Sequence, residues 1–360
     1  MERKVNRRTF LKYCAAGVIG AAVAGTAVYF GTQLAIPKRK EKYVIGMMSR
    51  LNVPFWFIVE RGAQAASRKY GFALTVFHPT DLTSVDQIKV VRAWVAQGID
   101  GIAWAVNDPE ACKPVINEIV AKGIPVITFN GDSPESDRLL FLDISHEEAV
   151  YLGIKLLAEG IEKLGLGGPE KPAKIVFMIG DLISGVAKDM RRGAERAYKE
   201  IPWLKEVQVL VDDGSPAKAS TMLEELLVKE PDLVGIYAAY DYDVPAAGEV
   251  ITKKGLIGKV VITGTALTGA DVPYILNGAV YGVADNRPYD QGFMATEIVY
   301  RMLTEGVEKV AKELIPKWPE EKIYRPPPIV YDKEKMIKRA KEDPEWWKAI
   351  GAPPLEELLH

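Results

Sequence analysis

The 360-residue chain has room for one to three domains at roughly 150 residues each. Its 48 % apolar and 26 % charged residues are an ordinary globular balance with ample core. A formal net charge of -2 leaves no basic field for a nucleic-acid backbone, which sets that partner class aside.

The first forty residues read as an address. Asn6-Arg7-Arg8-Thr9-Phe10-Leu11-Lys12 resembles the twin-arginine export motif. The stretch from Tyr13 to Pro37 then carries no charge, and Lys38-Arg39-Lys40 closes it. A basic start before an Ala/Gly-rich apolar run is the pattern of a secretion signal. The run is also long enough to cross a bilayer, which takes ~20 residues. Ala22-Val23-Ala24 offers small residues for cleavage, but Val28-Tyr29-Phe30 follows and makes the site poor. Both outcomes stay open: a cleaved signal, or an uncleaved anchor that holds the protein to the membrane. Either puts the bulk of the chain outside the cytoplasm. Cys14 follows Tyr13, not a small residue, so lipid attachment is not expected.

From residue 43 a short β-branched apolar run alternates with segments of helical period. The expected strands are Tyr43–Met48, Ala73–Phe77, Gly101–Val106, Pro125–Phe129 and Leu140–Ile144, then Lys174–Ile179, Val207–Val211, Gly235–Ala239, Val260–Thr263 and Val280–Ala284. Between them Phe55–Tyr70, Ser84–Gln97, Glu147–Leu164 and Ala217–Lys229 carry apolar residues three and four apart. Short apolar strands buried on both faces mean parallel sheets covered by helices. The units come in two similar series, the second starting near residue 147, so two doubly wound lobes fit better than one sheet. In such folds ligands bind at the carboxyl ends of the strands.

Signatures of catalysis are missing. No G-x-x-x-x-G-K-[ST] occurs, no G-x-G-x-x-G follows the first strand, and no G-x-S-x-G elbow is present. Gly165-Leu166-Gly167-Gly168 reads as a helix stop. His78, His146 and His360 are far apart, and Cys112 reads as a buried apolar residue in a helix, so neither metal nor cofactor is expected. Paired carboxylates alone can hydrolyse glycosides, which keeps a carbohydrate-active hydrolase as the rival class.

Ile45-Gly46-Met47-Met48-Ser49-Arg50-Leu51-Asn52-Val53-Pro54-Phe55-Trp56 is followed by Gly62-Ala63-Gln64-Ala65-Ala66, Gly98-Ile99-Asp100-Gly101-Ile102 and Gly123-Ile124-Pro125-Val126-Ile127-Thr128-Phe129-Asn130. Gly282-Val283-Ala284-Asp285-Asn286-Arg287-Pro288-Tyr289-Asp290-Gln291-Gly292 comes later. In this order and spacing the chain, from residue 43 to about 333, resembles the periplasmic monosaccharide-binding proteins of ABC importers, of the ribose-binding type. The resemblance implies an α/β fold of the type I periplasmic binding protein kind, with two Rossmann-like lobes, parallel sheets and a three-segment hinge. The crossovers would fall near Ile144–His146, Ala284–Asn286 and Tyr324–Pro328. The lobes would be 41–145 with 286–323, and 146–285 with 324–345, after an address at 1–40 and before a tail at 346–360. A monosaccharide or similar polyol would sit in the interlobe cleft and pass to an ABC permease whose ATPase is a separate chain. The protein would be a monomer without catalytic activity.

A sugar ring shows C–H faces to aromatic neighbours and hydroxyls around its rim, so flat rings plus polar groups suit it. Phe55 and Trp56 match the slot of ring-stacking aromatics, or else start a helix in the core. Asn52 is a polar contact or a turn residue before Pro54. Asn130 can donate to and accept from an alcohol, or can form a plain Asn-Gly turn; Asp132 is a lesser candidate beside it. Lys188 stands where relatives carry an arginine, though its helix face with Arg191 and Arg192 could simply be solvated. Tyr240 and Asp241 match a strand-end Asn-Asp pair, with the carboxylate accepting hydroxyls or capping a helix. Asp285 falls at a crossover, where the family places a ligand or hinge group. Trp104 reads equally as core, and Asn107-Asp108-Pro109 as a helix cap. After the ninth strand Thr263-Gly264-Thr265-Ala266 replaces the family's Gly-Phe-Asp, which counts against ribose or glucose and leaves a sugar with fewer hydroxyls to satisfy, or a different polar solute, as the ligand. A sugar sensor for a signalling receptor would use the same fold, whereas a repressor core would need DNA-binding helices where this chain has its address. The roles of Trp346-Trp347 and Pro353-Pro354 stay open between packing on a lobe and docking on a partner.

Overall fold

A computed structural model describes residues 42–358, so the export signal or anchor expected at 1–40 lies outside the described residues. The strands are β1 (Val44–Met48), β2 (Ala73–Phe77), β3 (Gly101–Trp104), β4 (Val126–Phe129), β5 (Phe141–Leu142), β6 (Ala173–Ile179), β7 (Leu204–Val211), β8 (Leu233–Ala238), β9 (Val261–Thr265), β10 (Gly282–Asp285), β11 (Ile323–Tyr324) and β12 (Ile329–Asp332). The helices are α1 (Pro54–Tyr70), α2 (Val85–Ala96), α3 (Pro109–Ala121), α4 (His146–Lys163), α5 (Gly185–Glu200), α6 (Pro216–Lys229) and α7 (Asp243–Lys253). They continue with α8 (Val272–Leu276), α9 (Pro288–Glu305), α10 (Val307–Leu314), α11 (Lys333–Glu342), α12 (Pro344–Ala349) and α13 (Leu355–Leu358).

The chain forms two compact units. One comprises 42–52, 67–140 and 296–319, and the other 53–66, 141–295 and 320–358. In the sheet of the first unit the strands run in the order β4-β3-β1-β2, all parallel. Every residue of β1, β3 and β4 is buried, as expected for parallel strands covered on both faces. Trp94, Trp104, Phe77 and Cys112 pack in this unit's core, so Trp104 is a core residue and Cys112 is buried as read.

The sheet of the second unit repeats the winding as β12-β10-β9-β8-β6-β7; β5 and β11, a short parallel pair, are not strands of that sheet. Its strands are parallel except β12, which runs antiparallel to β10 and was not foreseen. Three consecutive prolines, Pro326 to Pro328, precede it; they read as a break, and an edge position tolerates them. Helix ends follow local chemistry. Asp108 accepts from the Glu110 and Ala111 amides with Pro109 at the first turn, the cap read from the sequence, and Gly165 at φ 68° follows the end of α4. Gly62 and Gly292 let α1 and α9 cross backbone to backbone: a Cβ on Gly62 would land on the Tyr289 carbonyl.

In each sheet the order reverses once, at β1/β3 and at β6/β8. The crevices for ligands therefore open where these strands end: residues 49–52 and 105–107 in one unit, 180–184 and 239–242 in the other.

Candidate functional site

In the first unit a buried amide ties the strand ends together. Gln87 donates to the Ser49 and Ala105 carbonyls, both at 2.8 Å, and its oxygen accepts from the Asn107 amide at 3.2 Å. Asn107 in turn bonds Arg50, accepting from Nε at 3.2 Å and donating to the carbonyl at 3.0 Å. Asn52 lies on this rim and is exposed. Asn130 follows β4 half-buried, at φ 59°, a left-handed conformation that asparagine tolerates better than most residues.

Asp132 is a different case. Its carboxylate is gripped by the fork of Arg138, with Nη2 at 2.7 Å from Oδ2, and it also accepts from Thr128 Oγ1 and, at 2.8 Å, the Ser133 amide. The Arg138 side chain is only 4 % exposed. The pair fixes the loop after β4 and leaves Asp132 little capacity for another donor.

In the second unit Gly180-Asp181 follow β6. Asp181 accepts from the Ile183 and Ser184 amides, each at 2.7 Å, and Ser184 caps α5. Lys188 stands exposed on α5. Its neighbour Arg191 is held bidentately by Glu206 at 2.7 and 2.9 Å, and Arg192 pairs with Glu147 and Asp189.

The turn after β8 carries Tyr240, Asp241 and Tyr242. The two tyrosine rings stack with centroids 5.6 Å apart and 5° between planes. Tyr242 donates its hydroxyl to Asp212 at 3.1 Å. Burial pushes the Asp241 carboxyl above its usual range and the Tyr240 phenol up to about 12. After β9, Asp271 accepts from the amide and hydroxyl of Thr268 at 2.7 and 2.9 Å. Asp285 ends β10 almost fully buried and accepts from the Leu267 amide at 3.1 Å. Burial pushes Asp271 to about 8 and Asp285 to about 7.

A cavity of about 640 Å³ opens in this unit. Phe55, Phe57, Tyr242 and Tyr274 give it flat apolar walls, and Asp241, Glu249, Ser220 and Thr268 give it polar groups. Of the residues singled out from sequence, it brings together Phe55 and Asp241. Tyr240 reaches it only by stacking on Tyr242. Trp56, 5 % exposed and edge-on to Phe55, does not line it, nor do Lys188 and Asp285.

The sequence reading missed Tyr242, Thr268 and the C-terminal wall of this cavity. Arg61 donates to the Lys348 and Ala349 carbonyls at 3.2 and 2.7 Å, and the Gly269 amide donates to Ile350 O at 2.7 Å. Trp346, 1 % exposed, stacks on Tyr331 beneath Arg339, so the tail packs into this unit. The Trp346-Trp347 pair was the available signal. Among the described residues no cluster of His, Cys, Asp or Glu could hold a metal ion, and no helix is long and apolar enough to cross a membrane.

Two units of the same winding, with polar and aromatic side chains where the strands end, define a binding protein of the doubly wound class. The family model described as "Periplasmic binding protein domain" matches residues 45–307, and the chain belongs to that family. It is 29 % identical over 234 residues to the galactofuranose-binding protein YtfQ of Escherichia coli (strain K12), a match spanning 64 % of each chain. It is 24 % identical over 217 residues to the ribose import binding protein RbsB of Bacillus subtilis (strain 168), covering 60 % of this chain and 68 % of that one. A solved periplasmic solute-binding protein of an ABC transporter from Actinobacillus succinogenes 130z, with bound D-allose, superposes with a TM-score of 0.67 at 21 % identity. It covers 82 % of this chain and 99 % of that one, a likeness of fold. These relatives are binding proteins, not enzymes.

Proposed function

We propose that this protein captures a monosaccharide or a related polyol outside the cytoplasm and delivers it to an ABC permease. The observation that carries the reading is the cavity in which Phe55 and Tyr242 stand with Asp241 and Thr268: flat rings beside groups that bond hydroxyls. The names of the relatives, for galactofuranose and ribose, support the same ligand class. Asp241 accepts from ring hydroxyls, and Trp56 backs Phe55. Binding shifts the population toward the ligand-holding conformation that a permease reads.

Isothermal calorimetry of the full chain against pentoses, hexoses, furanoses and polyols tests the proposal. The expected result is one sugar bound at micromolar Kd or tighter, about -8 kcal/mol. Binding no tighter than millimolar across the panel, about -4 kcal/mol, would overturn it.

A further inference from the structure

The C-terminal wall of the cavity is fastened from two sides, both within the second unit. α12 ends with carbonyls that no further helical turn satisfies. Arg61 of α1 supplies one partner: its Nη1 donates to the Lys348 and Ala349 carbonyls at 3.2 and 2.7 Å, a cation at the negative end of the helix. The Gly269 amide, in the loop after β9, donates to the next carbonyl, that of Ile350, at 2.7 Å. The backbones pass so closely there that a Cβ on Gly269 would lie 2.1 Å from the Gly351 carbonyl oxygen. Apolar burial adds to the clamp, since Trp346, Trp347, Ala349 and Ile350 are each at most 4 % exposed.

Both fastenings sit on segments that carry other lining groups of the cavity. Arg61 follows Phe57 by four residues and so shares its face of α1, and Gly269 is the neighbour of Thr268. Ala349, Ile350 and Gly351 themselves line the cavity, although the match to the family model ends at residue 307. We infer that residues 349–351 are a wall against which the ligand packs, that Arg61 and the Gly269 amide position it, and that sugar binding and docking of the tail therefore strengthen each other. Arg61 is a positioning residue: it acts through the tail carbonyls.

Ala349 and Ile350 bring apolar side chains, which suit the C–H faces of a sugar ring and leave its hydroxyls to Asp241 and Thr268. A ligand that gains this contact only when the wall is docked shifts the tail toward the docked state. The factor is the one by which docking raises the ligand's affinity. The Ile350 amide donates to the Trp346 carbonyl at 3.0 Å and the Gly351 amide to the Lys348 carbonyl at 3.1 Å. Both bonds open when the tail lets go, so hydrogen exchange at these two amides reports docking. The wall half of the inference rests on the sugar-binding reading; the tether does not.

The test uses the full chain as wild type, Arg61→Met, Arg61→Lys and Gly269→Ala, with the best sugar of the calorimetry panel. Arg61→Met removes both carbonyl contacts from an exposed position and should fold as the wild type does. Arg61→Lys keeps a cationic donor there, and Gly269→Ala pushes the wall aside with its Cβ. Sugar affinity should fall about tenfold in Arg61→Met and in Gly269→Ala, and stay within about threefold of the wild type in Arg61→Lys. In the wild type, saturating sugar should slow exchange at the Ile350 and Gly351 amides by the same factor, about tenfold. Wild-type affinity in both Arg61→Met and Gly269→Ala would overturn the wall. A fall in affinity without slower exchange on sugar binding would mean that Arg61 meets the sugar itself, and would overturn the coupling. If no sugar bound to the wild type, the sugar-binding reading would fail, and exchange without ligand would still decide the tether. Faster exchange at both amides in Arg61→Met supports it, and an unchanged rate overturns it.

Discussion

Asp132 and Asp271 are the same residue type in the same kind of place, a loop just past a parallel strand, yet the fold treats them in opposite ways. In the first unit, Asp132 meets a buried guanidinium from six residues further along, and its negative charge is used up in holding its own loop. In the second unit, Asp271, Asp285 and Asp243 are buried, and among the described residues none is ion-paired; burial drives all three toward the neutral acid. A buried carboxyl is therefore not one chemical object. With Arg138 it is a structural ion pair. Without a cation it tends to hold its proton, able to donate as well as accept.

The largest expected effect strikes the ion pair. Arg138→Met leaves the Asp132 carboxylate part-buried and unpaired, and should cost about 3–5 kcal/mol in urea unfolding. A loss below about 1 kcal/mol would show that the loop does not depend on the pair.

The neutral acids answer to pH. Their folded pKa values, about 7 for Asp285 and about 8 for Asp271, lie above the ordinary 3.8. Stability from their neutral forms is complete below about pH 4 and lost as pH rises through those values. Each contributes a slope of at most about 1.4 kcal/mol per pH unit. Asp271→Asn should flatten the fall in stability between pH 5 and 8; an unchanged profile would mean Asp271 is ionised in the fold.

Gly180 sits under the tyrosine stack, where a Cβ would land on the Tyr242 hydroxyl. Gly180→Ala should cost about 1–3 kcal/mol by chemical unfolding and weaken sugar binding as the turn moves. The smallest effect on stability belongs to Lys188→Ala: exposure predicts a change within about 0.5 kcal/mol. Calorimetry should then give an unchanged sugar affinity, because Lys188 does not line the cavity.

The ten foreseen strands and the helices between them were readable because buried parallel strands are continuous apolar runs and their helices keep a clear period. The strands Ile323–Tyr324 and Ile329–Asp332 were not, being short, partly exposed and set beside three prolines. For the candidate site, the sequence pointed to the right loops but not to which side chains were already engaged. Nothing in the spacing of Asp132 and Arg138 announces a salt bridge, since six residues apart is no helical or strand neighbour. Tyr242 stayed hidden because the sequence resemblance stops at the pair Tyr240-Asp241, and only the ring stack shows that the turn presents its third residue. The tail could be placed only by seeing Trp346 on Tyr331.

One titration bears most directly on the claim that this cavity binds alcohols through a carboxylate: the best sugar of the panel against Asp241→Ala, at pH 7. Losing a charge-assisted bond of about 1.5–3 kcal/mol should weaken binding about 10- to 100-fold with the fold intact. An affinity equal to that of the wild type would contradict the account.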